Sequence, residues 1–255
     1  TVTARGLRVV FLGLRCAPLL PSGEKNPLHD VRVRKAVALA IDRAALVDGP
    51  LHRTAEAIGQ IIAPGVVGYD EAIAPVPFAP AAARRLLAEA GVAGFSMDLD
   101  YMPAKYRAME AVVHALAADL AAVGIRITPR AWEPAAFFDR LERRQPSSYL
   151  LGWMSTNGDA GLTYEYLLHT PDANKGVGNG GLCSDTELDA SLVAGSALMG
   201  THEREAALGK VAARLQATMP VVPLYAQNEL YAVAANLEFQ PRLDRRIRGR
   251  ELRWR

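Results

Sequence analysis

Short apolar runs alternate along this chain with longer segments in which apolar residues recur at the period of a helix. The runs of strand length are residues 7–14, 95–102, 125–128, 149–154, 221–225 and 230–234. The segments with helical periodicity are residues 31–47, 81–90, 106–123, 134–143, 162–168, 184–198 and 201–219. Strands that alternate with helices bury their apolar faces by packing helices against a sheet, so the pattern predicts an α/β fold with a mixed sheet.

Candidate capping residues mark several helix boundaries. Asp30 suits the N-cap position of the first helical segment, and Ser184 with Glu187 has the spacing of a capping box at a later one. The charged residues of the first helix are predicted to lie off its apolar face, and they are Arg32, Arg34, Lys35, Asp42 and Arg43. Asp98 and Asp100 alternate with apolar residues in one strand, which predicts that both carboxylates lie on its solvated face.

The composition is that of a globular chain without a general affinity for nucleic acid. Half of the 255 residues are apolar and the formal net charge is +2. No apolar run approaches the length of about 18 residues that spans a bilayer. The chain begins at Thr1 rather than Met, so we expect a processed or trimmed product whose missing signal peptide says nothing about the compartment.

The two cysteines, Cys16 and Cys183, stand far apart in the sequence and lack the spacing of a metal site. A disulfide between them is possible in an oxidising compartment. Two separate small hydrophobic residues are the favoured interpretation.

No arrangement of residues predicts catalysis. The five histidines never form an HExxH motif, and the nucleophile motif GxSxG is absent. Gly176, Gly178 and Gly181 match GxGxxG, but a polar loop rather than a strand precedes them, which is typical of a flexible loop and not of a pyrophosphate site. Seven arginines in the last fifteen residues are interleaved with acidic residues, which favours a solvated terminal strand or tail over a nucleic-acid patch. No cofactor and no metal is implied.

The stretch 148–161 is the best candidate for a binding site. It begins as an apolar strand that carries Trp153 and changes within two residues into a polar turn. Thr156, Asn157 and Asp159 lie in that turn and supply hydrogen-bonding groups. A large aromatic residue at a strand end, followed by a polar loop, is a common way to build one wall of a small-molecule cleft. On this segment alone, a buried tryptophan beside an ordinary surface turn is the favoured interpretation.

Four stretches of the chain resemble one protein family in their order and spacing. They are residues 26–43, which begin Asn-Pro-Leu-His-Asp-Val-Arg-Val-Arg-Lys-Ala, residues 83–91, Leu151-Gly152-Trp153, and the segment 184–189. Together they resemble the C-terminal half of the family 5 extracellular solute-binding proteins. Members of that family are the receptors of ABC importers for dipeptides, oligopeptides, nickel and related solutes.

The resemblance implies a two-lobed, periplasmic-binding-protein-like fold of type II that closes on its ligand by hinge motion. Residues 1–25 would be a strand of the first lobe, residues 26–219 the second lobe, and residues 220–255 the returning strands of the first lobe. The strands 7–14 and 221–225 would then pair with each other. The implied partners are a peptide-like or other small polar solute, the permease subunits, and the N-terminal half of the receptor. The implied location is the periplasm, or the cell exterior with a membrane anchor.

The resemblance also assigns roles to the candidate residues. Trp153 would contact the solute, with Asn157 beside it. Thr156 takes the position at which peptide-binding members carry an aspartate for the amino terminus of the peptide, and Asp159 is the nearest carboxylate that can replace it. The facing edge would be formed by Tyr101, Lys105 and Arg107. Either cation would suit an anionic group on the ligand.

Three other interpretations stay open at this point. The chain could be a stand-alone lobe that acts as an interaction or regulatory module without transport. A small α/β enzyme that depends on Asp98 or Asp159 is a further alternative. A nickel complex held by a chelator is possible as the ligand of a receptor.

Overall fold

The computed structural model describes residues 1–200 and 202–255 in full. The helices are α1 (Val31–Ala40), α2 (Arg43–Asp48), α3 (Pro80–Glu89), α4 (Met109–Ala121), α5 (Pro134–Glu142), α6 (Ala160–Leu168), α7 (Thr186–Ser196) and α8 (Thr201–Thr218). The strands are β1 (Val2–Leu14), β2 (Ala55–Ala57), β3 (Phe95–Tyr101), β4 (Ile125–Ala131), β5 (Ser148–Met154), β6 (Val221–Tyr231), β7 (Leu237–Glu238) and β8 (Arg253–Trp254). Single 3-10 turns occupy Pro27–His29 and Gly249–Glu251.

Six strands form one mixed sheet in the order β2-β6-β1-β5-β3-β4. β1 is antiparallel to β5 and β6, whereas β3 is parallel to β4 and β5. The prediction of an α/β fold with a mixed sheet is therefore confirmed. The predicted pairing between strands from opposite ends of the chain is confirmed as well, because β1 and β6 are neighbours.

β1 lies in the middle of the sheet because both of its faces are apolar. The side chains of Val9, Val10, Phe11 and Leu12 are almost completely buried, as expected for a strand covered on both sides. β6 is one strand of 11 residues, and the prediction of two strands, 221–225 and 230–234, is wrong. Its polar middle does not break it, because backbone pairing with β1 and β2 continues through that part.

Helices cover both faces of the sheet. On one face, Tyr164 of α6 and Leu215 of α8 meet Pro223 of β6, the register partner of Phe11. The helix α1 packs against both α3 and α4. The loop that precedes α4 carries Tyr106, whose hydroxyl donates to the carbonyl of Gly152 in β5.

The segment 31–47 forms two helices rather than one. Asp30 caps α1 as predicted, since its side chain accepts a hydrogen bond from the first turn. Ile41 and Asp42 then leave helical geometry, and the Asp42 side chain caps α2. The backbone N–H of Asp42 donates to Asp119 of α4 over 2.9 Å. This contact between helices fixes the break.

Arg34 and Arg43 are buried although both lie off the predicted apolar face of the first helix. Arg34 donates to the carbonyl of Thr218 at the end of α8, and Arg43 donates to the carbonyl of Pro223 in β6. Backbone carbonyls replace the water that these guanidinium groups lose on burial. The two arginines thus connect the first helices to the end of the chain.

Asp185, and not Ser184, caps α7, which corrects the predicted capping box. The Asp185 carboxylate accepts two backbone N–H groups of the first turn and also binds Arg214 of α8. The hydroxyl of Ser184 instead accepts a hydrogen bond from Thr170. A carboxylate at this position satisfies both the helix N-terminus and a neighbouring cation.

Asp100 is completely buried, so the prediction of a solvated carboxylate is wrong for this residue. Arg140 of α5 donates to it over 2.8 Å, and the guanidinium also lies 4.3 Å from the ring centroid of Trp132. Asp98 is partly exposed and pairs with Arg130, in agreement with its predicted position.

Cys16 and Cys183 form a disulfide, which corrects the favoured interpretation of two separate hydrophobic residues. Their Cα atoms lie 4.7 Å apart although 167 positions separate them in the sequence. Cys16 follows β1 and Cys183 precedes α7, so the bond joins the central strand to the loop in front of that helix.

The arginine-rich end of the chain is an exposed hairpin of β7 and β8, as the prediction of a solvated terminal strand implied. Arg242 pairs there with Asp244 and Glu251. None of the helices in the described chain is long and apolar enough to cross a membrane. The division into lobes at residues 25 and 219 stays a prediction, and β1 and β6 share one sheet with β5.

Candidate functional site

The carboxyl ends of β3, β4, β5 and β6 meet at one edge of the sheet. β3, β4 and β5 are parallel, and β6 has the same direction because both β5 and β6 are antiparallel to β1. The amino-terminal half of β1 enters the sheet from this same edge. In open α/β sheets this is the edge at which ligands bind. The predicted site residues follow β3 and β5 and therefore lie along it.

Trp153 is half-buried near the end of β5. Its indole stacks on Tyr166 of α6, with 4.7 Å between ring centroids and 17° between ring planes. Gly178 packs directly against the Tyr166 ring, and its N–H donates to the Tyr166 carbonyl over 2.9 Å. The glycine-rich loop therefore supports the tryptophan, and it needs glycine because a side chain would overlap the tyrosine ring.

The turn after Trp153 is held by its own hydrogen bonds. The side chain of Asn157 accepts from the backbone N–H of Asp159 over 3.2 Å, and the Ser155 hydroxyl donates to the Asp159 carbonyl over 2.8 Å. Val67 bridges to the same turn through its backbone. Thr156 and Asn157 are exposed at its tip. Their position makes both side chains accessible to a ligand at the carboxyl edge.

Asp159 is paired within the protein rather than free for the predicted contact with a ligand. Arg204 of α8 binds both carboxylate oxygens, over 2.6 and 2.8 Å, and the N–H of Gly161 donates to one of them over 2.7 Å. The hydrogen bonds from Arg204 lower the pKa of the Asp159 carboxyl below its usual value. The carboxylate caps α6 and ties it to α8, so it is not a free counterion for an amino group.

The three residues predicted to face Trp153 lie at the carboxyl edge but on the side of the sheet away from its indole. Tyr101 is buried at the end of β3, and the strand register places its side chain on the opposite face of the sheet from Trp153. Lys105 and Arg107 are exposed in the loop after β3. Arg107 donates to the carbonyl of Thr54 over 3.3 Å. The loop therefore presents two cations at the carboxyl edge, on the side away from the indole.

Arg8 and Tyr106 lie at this edge and were not predicted as site residues. The Arg8 guanidinium is 5.6 Å from the centroid of the Tyr106 ring, and the Tyr106 hydroxyl donates to the Gly152 carbonyl over 3.1 Å. A Cβ atom at Gly152 would lie 2.6 Å from the tyrosine ring, so this contact needs glycine. The available sequence signal was Arg8 itself, the one charged residue in the apolar run 7–14.

No group of three or more metal-ligating side chains forms within residues 1–200 and 202–255. A cavity of about 530 Å³ lies away from the carboxyl edge, between the loop 20–24, the first half of β3 and Arg140. It contains none of the predicted site residues. The carboxyl edge offers an aromatic surface, a polar turn and two cations that make no ion pair within the described residues.

Comparisons with known proteins place these features in a family. The family model described as bacterial extracellular solute-binding proteins, family 5 middle part, matches residues 1–175. Heme-binding protein A of Haemophilus influenzae is 28% identical over 196 residues, which cover 75% of this chain and 36% of that protein. The dipeptide-binding protein of Escherichia coli is 29% identical over 154 residues, which cover 58% of this chain and 28% of that protein.

A solved structure extends the similarity to the fold of the whole chain. HbpA2 from Haemophilus parasuis superposes with a TM-score of 0.87 at 21% identity, over 100% of this chain and 49% of that one. The type II periplasmic-binding-protein-like fold is thereby confirmed. The chain spans about a third of the curated relatives that it matches and about half of this structure.

Proposed function

Because this chain belongs to the family 5 bacterial extracellular solute-binding proteins, we propose that it binds a small solute for an ABC importer. The observation that carries the proposal is the family match over residues 1–175, which includes the carboxyl edge from β1 to the turn after β5. The proposed ligand contacts are Trp153, Thr156, Asn157, Tyr101, Lys105 and Arg107. Asp159 is left out because Arg204 and the helix occupy its oxygens.

The proposed solute is peptide-like or another small molecule that carries an anionic group. Relatives of the chain are named for dipeptide binding and for heme binding, and both ligands bear carboxylates. Thr156 has no charge and Asp159 is paired, so the turn offers no free carboxylate for an amino terminus. The cations Lys105 and Arg107 favour recognition of the acidic part of the solute.

The proposed setting is the periplasm or the cell exterior. The disulfide between Cys16 and Cys183 supports it, because such bonds persist in oxidising compartments. We assign residues 26–219 to the ligand-binding second lobe, and residues 1–25 and 220–255 to the first lobe. The proposed partners are the permease subunits and an N-terminal half of the same receptor. Relatives are named as binding proteins, so the proposed role is capture rather than catalysis.

Thermal denaturation of the chain with a panel of dipeptides, oligopeptides, haem, opines, sugars and nickel chelates tests this proposal. A ligand present at one hundred times its dissociation constant should raise the midpoint by about 5–10 °C. Trp153→Ala should abolish the shift. Trp254→Ala is the matched control, because that indole is 74% exposed on the terminal hairpin.

The pattern of shifts separates the candidate functions. A shift that survives in Trp254→Ala and disappears in Trp153→Ala would identify the solute class and the wall of the site. Equal shifts in both variants would show that the binding site does not include Trp153 at the end of β5. No shift with any solute would contradict solute capture by this chain and favour an interaction module without transport.

A further inference from the structure

Arg8 is half-buried and has no carboxylate partner in the described part of the chain. Other arginines that lose water on folding are compensated by the protein. Arg34 and Arg43 donate to backbone carbonyls, and Arg140 and Arg204 bind carboxylates. A partly desolvated guanidinium without such compensation is costly. Arg8 is therefore the arginine whose position calls for a counterion from outside the protein.

The ring of Tyr106 holds the Arg8 side chain in position. Its guanidinium lies 5.6 Å from the Tyr106 ring centroid, within the range of a cation–π contact. Tyr106 is itself held by the hydrogen bond from its hydroxyl to Gly152 and by close packing on that glycine. A contact with a ring face uses no N–H donor of the guanidinium. One donor of Arg8 also reaches the Tyr106 hydroxyl, and its other donors remain available at the open carboxyl edge of the sheet.

The neighbours of Arg8 in the sheet add neutral hydrogen-bonding groups. Its register partners are Met154 on β5 and Gln227 on β6, so the three side chains lie in one row on one face. Gln227 is only 9% exposed, and its amide makes no hydrogen bond among the described residues. Tyr225, two residues earlier on the same face, has a buried hydroxyl without a partner. Burial raises the pKa of Tyr225, so the hydroxyl keeps its proton and can donate.

We infer that Arg8 binds a carboxylate of the solute, with Gln227 as a second donor beside it. The planar guanidinium matches the two oxygens of a carboxylate, and the ligand would supply the counterion that the chain lacks. Arg8 pairs with Met154 and therefore lies next to Trp153, across the sheet from its indole face. A solute carboxylate bound to Arg8 would therefore lie on the face that carries Met154 and Gln227, opposite the Trp153 indole.

The inference rests on the proposed function for the identity of the solute, but the carboxylate subsite can be tested without it. N-acetylglycine and N-acetylglycinamide differ only in the carboxylate and are the group probes. The readout is the Nε–H resonance of Arg8 in arginine-labelled protein, identified by its loss in Arg8→Gln. We expect this resonance to move with the acid and not with the amide. The Arg126 resonance is the control, because Arg126 is exposed on β4 without an ion pair in the described chain.

Variants connect this signal to binding. Arg8→Gln should weaken binding of the acid by about 10- to 100-fold, the effect expected when a hydrogen-bonded charge is removed. Arg8→Lys should keep part of the affinity, because the charge remains and the planar fork is lost. Arg126→Gln should change nothing. An Arg8 resonance that ignores the acid, or equal losses in Arg8→Gln and Arg126→Gln, would overturn the inference.

A second arm uses whole solutes and identifies the source of the carboxylate. A dipeptide is compared with its C-terminal amide, and haem with its dimethyl ester, in the parent chain and in Arg8→Gln. The acid of the true solute class should bind about 10- to 100-fold more tightly than its neutral form in the parent, and this ratio should vanish in the variant. If no solute of the thermal-denaturation panel binds, the proposed function fails. The first arm still decides whether Arg8 binds a carboxylate.

Discussion

Replacing Cys16 and Cys183 with serine removes the disulfide that joins the end of β1 to the loop before α7. In the chain-entropy model, a cross-link over the 167 residues of separation constrains the unfolded state by roughly 5 kcal/mol at 25 °C. Measured losses of native disulfides span about 2–5 kcal/mol. The Cys183 sulfur lies 3.6 Å from the Leu14 carbonyl, so a serine hydroxyl has an acceptor nearby. The local cost of the substitution is therefore small beside the loss of the cross-link.

Equilibrium urea unfolding of the oxidised parent, the reduced parent and the double variant measures the loss. We expect the reduced parent and the double variant to agree with each other and to lie about 2–5 kcal/mol below the oxidised chain. Reductant should have no effect on the double variant, which controls for side effects of the reagent. The reasoning is refuted if oxidised and reduced chains agree within about 1 kcal/mol, since that is far below the entropy of so long a loop. Two free thiols in the denatured, unreduced chain would refute it as well.

Three further predictions concern single residues. Asp100→Asn should lower the free energy of unfolding by about 3 kcal/mol, because it breaks a buried ion pair. Asp98→Asn is the control and should lower it by no more than about 1 kcal/mol, because its ion pair is exposed. Urea unfolding of both variants measures the difference. Because its pKa is lowered in the folded chain, Asp159 contributes stability that is present above about pH 4 and lost as the pH falls further. Asp159→Asn should therefore flatten the acid side of a plot of the midpoint against pH, and an unchanged slope would contradict the role of Arg204. Gly152→Ala should displace Tyr106, because the added methyl group would overlap the tyrosine ring. N-acetylglycine binding, measured by titration, should then weaken by about tenfold. Unchanged affinity would show that Tyr106 does not position Arg8.

Most of the fold could be predicted from local periodicity. The prediction of strands that alternate with helices agrees with the structure, because the pattern of apolar residues decides which face of each element is buried. The errors fall where a contact between distant residues decides the outcome. The break between α1 and α2 depends on Asp119, and the continuity of β6 depends on its pairing with β1 and β2. Neither contact can be predicted from the sequence close to α1, α2 or β6.

The candidate site could be predicted only in part, for the same reason. Trp153 and its turn form a local feature, and the structure keeps them together at the carboxyl edge. Tyr101 was expected to face Trp153, but the parallel register of β3 and β5 turns it to the other face. Arg8 was missed because its surroundings come from β5, β6 and the loop before α4.

The sequence alone determined the order of elements, the layered α/β architecture and the aromatic turn that ends β5. Tertiary structure alone decided which charges are free and which are neutralised. Asp159 is paired by an arginine 45 residues away, Arg34 is buried against carbonyls 184 residues away, and the cysteines meet across 167 residues. The physical reason is range: periodicity records the burial of a residue relative to its near neighbours, whereas a hydrogen bond, an ion pair or a disulfide needs a second residue that the fold brings into contact.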